Sequence, residues 1–252
     1  MANTATEDIP IGKIVKSIEE AKQKRNTTRS DDNAHTKKPM FVVLISTGSL
    51  NPVHKMHIRM FDHAKEYLEK TYSDIVVVGG FLSPSHEQYV STKLGKQYIE
   101  SNHRAALCRF QTDNHPWLET STWEMNQNQF VDFPYVANHH RQYLKQQFPS
   151  EQLVVMYLCG SDHATRCGLL KGIRYPSKIP VVCLARKDSY QTVKQSPQVA
   201  KDGSFYLVEN EDMDVEVSST LVRKKIAAKE PIAEYVGEQA EQYILEHHIL
   251  GA

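Results

Sequence analysis

Nowhere in its 252 residues does this chain hold an apolar run long enough to cross a bilayer. The longest runs, near 41–46, 75–78 and 153–159, have the length of strands. The opening MANTATEDIPIG carries acidic residues and no apolar centre, which argues against a signal peptide. Cysteine is scarce. Cys108, Cys159, Cys167 and Cys183 form no CxxC pair, and they read as buried free thiols in a reducing compartment, cytosolic or nuclear. An excess of charge is missing as well, with 30 basic residues against 30 acidic ones. The broad positive footprint that a nucleic-acid backbone requires is therefore absent, although a local positive pocket is compatible with that balance. Internal repeats and low-complexity tracts are also lacking.

What is present suits a globular α/β protein: 40% of the residues are apolar, and the length fits one sizeable domain or two small ones. Residues 1–39 separate from the rest as an amino-terminal extension. Ile11, Ile14, Val15 and Ile18 recur at helical spacing, and the polar NTTRSDDNAHTKKP that follows reads as loosely ordered. The KQKR at 22–25, ahead of that stretch, reads as a solvated helix end rather than a nuclear address. From about residue 40 to 250, strands and helices alternate. FVVLIS, IVVVGGFL, WLETSTW, LVVMYLCG, PVVCLAR and SFYLVEN read as strands. Helices are expected over 52–70, near 101–113, over PYVANHHRQYLKQQF, and over 219–228 and 236–247, while SPSHEQYVSTKLGKQ reads as a polar loop. This order predicts a Rossmann-like, doubly wound, mostly parallel sheet covered by helices on both faces. In such sheets ligands sit beyond the carboxyl ends of the strands, where Gly48, Gly160 and Ser218 all fall.

The stretch FVVLISTGSLNPVHKMH carries the most chemistry. It reads as a buried strand that breaks at Gly48 and restarts as a helix at Pro52, which is at ease in a first helical turn. Free N–H groups at such a terminus attract anions. Gly48 permits close approach of a ligand to the backbone, and Asn51 suits a helix cap. His54 and His57, three residues apart, share one helix face. HxxH is also a fragment of metal motifs, but neither a third ligand nor an HExxH glutamate accompanies it. Farther on, Ser218, Ser219 and Thr220 precede the apolar Leu221-Val222 and mark another helix start. Arg223, near the end of its first turn, offers a fixed fork for two phosphate oxygens.

The segments GSLNPVHKMH and VSSTLVR resemble the GxFNPxHxxH and ISSTxxR signatures of the nucleotidyltransferase superfamily. Leu158-Cys159-Gly160-Ser161-Asp162 and WLETSTWE (117–124) look like the eukaryotic nicotinamide/nicotinate mononucleotide adenylyltransferases in particular, and the resemblance covers roughly residues 40 to 250. Leu50 departs from it, standing where the family usually has Phe. The resemblance implies AMP transfer from ATP to nicotinamide or nicotinate mononucleotide. Magnesium would be carried by the ATP phosphates, with no metal ligands from the protein. It makes His57 and Arg223 the catalytic pair, and places ATP on Gly48, His54, His57, Gly160, Asp162, Ser218, Ser219, Thr220 and Arg223. Asp162 would take a ribose hydroxyl. The mononucleotide would meet Ser49, Leu50, Lys93, Trp117, Glu119, Thr122 and Arg186, with Trp117 stacking on the pyridine ring and Trp123 in the core. Lys96 competes with Lys93 for the mononucleotide phosphate, and Tyr175 is a candidate second stacking aromatic. Adenylyl or cytidylyl transfer to another phosphate, such as phosphopantetheine, remains an alternative. So does a non-catalytic nucleotide-binding or chaperone-like module. Small-molecule partners are implied, without nucleic acid or membrane, and a homo-oligomer is allowed.

Overall fold

A computed structural model describes residues 8–27, 38–210 and 217–252. The first seven residues and most of the polar stretch expected to be loosely ordered lie outside the described residues. Six parallel strands form one sheet: β1 (Met40–Gly48), β2 (Ile75–Pro84), β3 (Leu118–Thr120), β4 (Leu153–Gly160), β5 (Val181–Arg186) and β6 (Phe205–Asn210). Their order, β3-β2-β1-β4-β5-β6, reverses direction between β1 and β4. That reversal creates the crevice in which doubly wound sheets hold ligands.

Side chains alternate along the strands, and each face has its own core. Phe41, Val43 and Ile45 join one cluster, while Val42 and Leu44 join the other. The second cluster is covered by α2 (Lys55–Thr71), α4 (Ser101–Thr112) and the carboxyl-terminal helices α8 (Ser219–Ala227), α9 (Ala233–Val236) and α10 (Glu238–Glu246). The first is covered by α1 (Gly12–Thr27) and α5 (Phe133–Gln147), and by α6 (Ser161–Arg166) and α7 (Lys187–Lys194) at the sheet's far end. No helix among the described residues is long and apolar enough to cross a membrane.

Helix α1 packs on the sheet, with Ile9, Ile14 and Ile18 buried in the same cluster as Val78 and Phe81. Gly79 makes that contact possible, because a Cβ there would overlap the Ile14 side chain. Gly79→Ala should therefore cost about 1–3 kcal/mol by overpacking, read as a lower urea midpoint. An unchanged midpoint would mean that α1 contributes nothing to stability.

Four expectations need correction. The helix after β1 begins at Lys55, not Pro52, because Asn51 and Pro52 form a turn and the His54 backbone is extended. The loop expected at 83–97 contains a helix, α3 (Glu87–Leu94), started by the His86 side chain accepting from the Gln88 N–H. The helix expected at 236–247 is broken at Gly237, which has φ of +86°. Of the four thiols, Cys108, Cys159 and Cys183 are buried, but Cys167 is exposed.

Candidate active site

The two signature segments, more than 160 residues apart in sequence, meet at the carboxyl end of β1. Arg223 donates from Nη1 to the Asn51 carbonyl at 2.9 Å and from Nη2 to Thr220 Oγ1 at 3.3 Å. Ser219 Oγ donates to the Pro52 carbonyl at 2.8 Å, and Ser218 caps α8 by accepting from the Leu221 N–H. The Asn51 side chain does not cap a helix. Its Nδ2 donates to the Gln97 carbonyl at 2.8 Å and its Oδ1 accepts from the Ile99 N–H at 2.6 Å. One residue thus ties the turn to the segment after α3 and to the guanidinium of Arg223.

His54 occupies the cap position of α2, and His57 sits one turn in, with the ring centroids 3.8 Å apart. His57 Nδ1 accepts from the His54 N–H at 3.1 Å, so the imidazole proton is assigned to Nε2. Burial pushes His57 down to about 4, and burial together with the His57 imidazole pushes His54 down to about 2. Both rings are neutral at pH 7, and His57 is a neutral N–H donor. Burial lowers Arg223 as well, yet a guanidinium stays charged at neutral pH. Among the described residues, His54 Nδ1 and Arg223 Nε are buried polar atoms without a hydrogen-bond partner. Such atoms carry a desolvation cost that an incoming polar ligand can relieve.

Beside this corner lies a cleft of about 390 Å³, lined by Thr47, Gly48, Ser49, Ser85, Lys93 and Glu124. Tyr89, Phe130, Phe133, His163 and Arg166 complete its walls, with Asp132 and Cys167. Lys93 Nζ donates to Ser49 Oγ at 3.3 Å and lies 5.4 Å from the Tyr89 ring centroid, while Tyr89 stacks on Phe130 at 4.9 Å. Lys96 is not among the lining residues. On the floor, Tyr157 OH bridges Thr47 Oγ1 at 3.0 Å and His163 Nε2 at 3.2 Å. Gly160 and Asp162 stand at the junction of β4 and α6, and Asp162 lines a neighbouring hollow with Ser161, Asp188 and Ser189. Leu50 is buried at φ of +43°, beside Gly48.

Four residues expected to hold the mononucleotide lie elsewhere. Trp117 directly precedes β3, at the end of the sheet opposite the cleft. It packs edge-on against Phe61 and His115, with Lys65 Nζ 5.7 Å from its ring centroid. Glu119 is at the middle of β3. Burial raises it, and Lys13 of α1 opposes that shift. Thr122 is taken by Asp8, bonded through its N–H at 2.9 Å and its hydroxyl at 3.1 Å. Arg186 ends β5 exposed, outside the cleft lining. Trp123, expected in the core, is half-buried and stacks on His139 with centroids 3.8 Å apart. Trp117→Ala should therefore cost about 3–5 kcal/mol of stability, as for a large buried aromatic, and leave KM for a cleft ligand unchanged. A raised KM in folded protein would return Trp117 to the site.

Sequence reasoning missed Tyr89, Phe130, Asp132, Phe133, His163 and Arg166. They lie on α3, at the start of α5 and on α6, and only the topology gathers them. For Glu124 a signal existed, an acidic residue directly after Trp123 in an otherwise apolar-and-hydroxyl stretch.

A cytidylyltransferase-like profile matches residues 45–225, which span β1 to α8 and contain both halves of the corner just described. The chain belongs to the cytidylyltransferase-like family. Curated relatives of this cytidylyltransferase-like chain include nicotinamide/nicotinic acid mononucleotide adenylyltransferase 2 of Bos taurus, 32% identical over 62% of this chain and 43% of that protein. Adenylyltransferase 1 of the same organism is 25% identical over 82% of this chain and 88% of the relative. The Arabidopsis thaliana enzyme is 29% identical over 60% and 61%. The chain thus spans less than half the length of the type 2 relatives it matches. In fold it is similar to Plasmodium falciparum nicotinic acid mononucleotide adenylyltransferase complexed with NaAD, with a TM-score of 0.55 at 14% identity, over 83% of this chain and 97% of that one.

Proposed function

We propose that this chain transfers AMP from ATP to nicotinamide or nicotinate mononucleotide, forming NAD or its deamido form and releasing pyrophosphate. The observation that carries the reading is the junction of Arg223 with Asn51 and of Ser219 with Pro52, beside His54 and His57. The curated relatives named for this activity support the choice of acceptor.

In this reading a mononucleotide phosphate oxygen attacks the α-phosphorus of ATP. The bond to the bridging oxygen breaks, and pyrophosphate leaves with the electron pair. The attacking oxygen is ionised at neutral pH, so no general base is required. Catalysis is alignment together with stabilisation of developing charge. His57 donates from Nε2 to the reacting phosphate, and Arg223 holds the outer phosphates with Ser218, Ser219, Thr220 and His54. Gly48 lets the phosphates approach the backbone closely, and Gly160 with Asp162 receives the ATP ribose. Lys93 and Ser49 face the mononucleotide phosphate, and the pyridine ring enters the aromatic cleft of Tyr89, Phe130 and Phe133. No group of three or more His, Cys, Asp or Glu among the described residues is arranged to hold a metal ion. Magnesium would be carried by the ATP phosphates, where the ion would offset their charge. The buried thiols fit a reducing compartment, cytosolic or nuclear.

A coupled assay for NAD formation from ATP and nicotinamide mononucleotide tests the reading. ATP-dependent product supports it. Product only with another phosphate acceptor, or nucleotide binding without turnover, overturns it.

A further inference from the structure

The cleft wall contains one deeply buried carboxyl group, and the reaction outlined above gives it no task. Glu124 is 1% exposed, yet it contributes to the lining of the cleft that Ser85, Lys93, Phe130 and Phe133 also line. Ser83 Oγ donates to its Oε2 at 2.9 Å, and the Ser85 hydroxyl also supports it. A carboxylate offers about four lone-pair sites, so two serine donors leave capacity for a ligand N–H. The aromatic walls that would receive a pyridine ring belong to the same cleft. The ring's substituent is the only part that differs between the two candidate acceptors, an uncharged amide in one and a carboxylate in the other.

We infer that Glu124 reads this substituent: ionised, it accepts the carboxamide N–H of nicotinamide mononucleotide, and protonated, it donates to the carboxylate of nicotinate mononucleotide. The inference rests on the adenylyltransferase reading and adds its specificity determinant. Two carboxylates in contact within a buried wall repel strongly unless they share a proton. The protonation state of Glu124 then decides which acceptor fits, and no rearrangement of the chain is needed.

The surroundings bring that choice into the neutral range. Burial pushes Glu124 up to about 7, against the hydrogen bonds from Ser85 and Ser83 and the positive charge of Arg104 on α4. Asp132, at the start of α5, adds a negative charge that raises it further. From β4 the Tyr157 hydroxyl faces it, and burial keeps that phenol un-ionised. Lys93 and Arg166 line the same cleft, as does His163, which burial pushes below its ordinary value. Glu124 is thus the carboxyl of the lining that changes charge near pH 7.

The test is the ratio of kcat/KM for the amide acceptor to that for the acid acceptor, measured from pH 6 to pH 8.5 with saturating ATP. Titration of the shared acceptor phosphate and of groups serving both reactions cancels in the ratio. The ratio should climb with pH, by on the order of tenfold per pH unit at its steepest, as one proton is released. In Glu124→Gln, whose amide both donates and accepts, the ratio should be flat. Ser83→Ala removes a donor to the carboxylate and should move the midpoint to higher pH, which keeps the inference testable if the glutamine variant does not fold. A pH-independent ratio in the unmodified chain overturns it, as does an unchanged slope in Glu124→Gln or an unmoved midpoint in Ser83→Ala. Product from both acceptors at a constant ratio removes this inference alone. Product from neither removes the adenylyltransferase reading along with it.

Discussion

Replacing His57 with alanine is expected to lower kcat by on the order of 100- to 1000-fold, the loss typical when one donor leaves a preorganised anionic site. The imidazole is held in one orientation, since Nδ1 receives the His54 N–H and Nε2 carries the proton. Burial keeps the ring neutral, with its titration pushed down to about 4. Its contribution is therefore a fixed dipole, and the effect of the substitution should be nearly constant between pH 6 and pH 8. The measurement is single-turnover or saturated kcat, with circular dichroism confirming that the variant is folded. A turnover within about threefold of the parent would remove His57 from the reaction.

Arg104→Ala should give a large loss of stability, about 4 kcal/mol, lowering Tm by on the order of 10 °C for a chain of this length. Arg104 is fully buried. Its Nε donates to the Ile99 carbonyl at 2.9 Å, and Nη1 donates to the Ser85 and Ser49 carbonyls at 2.7 and 3.2 Å. Truncation leaves three acceptors without their donor, opens a cavity and removes the cation nearest Glu124. Lysine does not restore the fork and should recover only part of the loss. Differential scanning calorimetry reads the shift, and a Tm within about 3 °C of the parent would show that the buried guanidinium is dispensable. Ser49 and Ser85 both flank the cleft, so surviving Arg104→Ala protein should also show a raised KM for the mononucleotide.

Much of the fold was written in local patterns. Five of the six strands appear as short apolar runs, the exception being β3 (Leu118–Thr120), and burial on both faces is what makes β1 and β5 read as near-continuous hydrophobic segments. The polar helix α3 was hidden because only Val90 of its eight residues is buried, and its start comes from a histidine rather than a usual cap. The corner formed by His54, His57, Ser219 and Arg223 was legible because its residue types are chemically distinctive and each lies at a helix start. The lining of the cleft was not. Trp117 and Trp123 lie six residues apart on either side of a three-residue strand, and the linear string does not say which end of β3 faces the ligand. Register against β2 decides it: Gly80 pairs with Leu118, well before the carboxyl end of β2 at Pro84. Arg186 illustrates the same limit. An arginine ending a strand near the cleft was easy to propose, while Arg166 on α6 reaches the cleft lining instead.

Asn51 sets a timetable for synthesis. Its side chain grips residues 46 and 48 positions ahead, while its carbonyl waits for a guanidinium 172 positions downstream. A ribosome delivers the first partners early and the last one only when most of the polypeptide has emerged. All six strands precede Arg223, so the sheet can assemble before the corner of Asn51 and Arg223 closes near the end of translation.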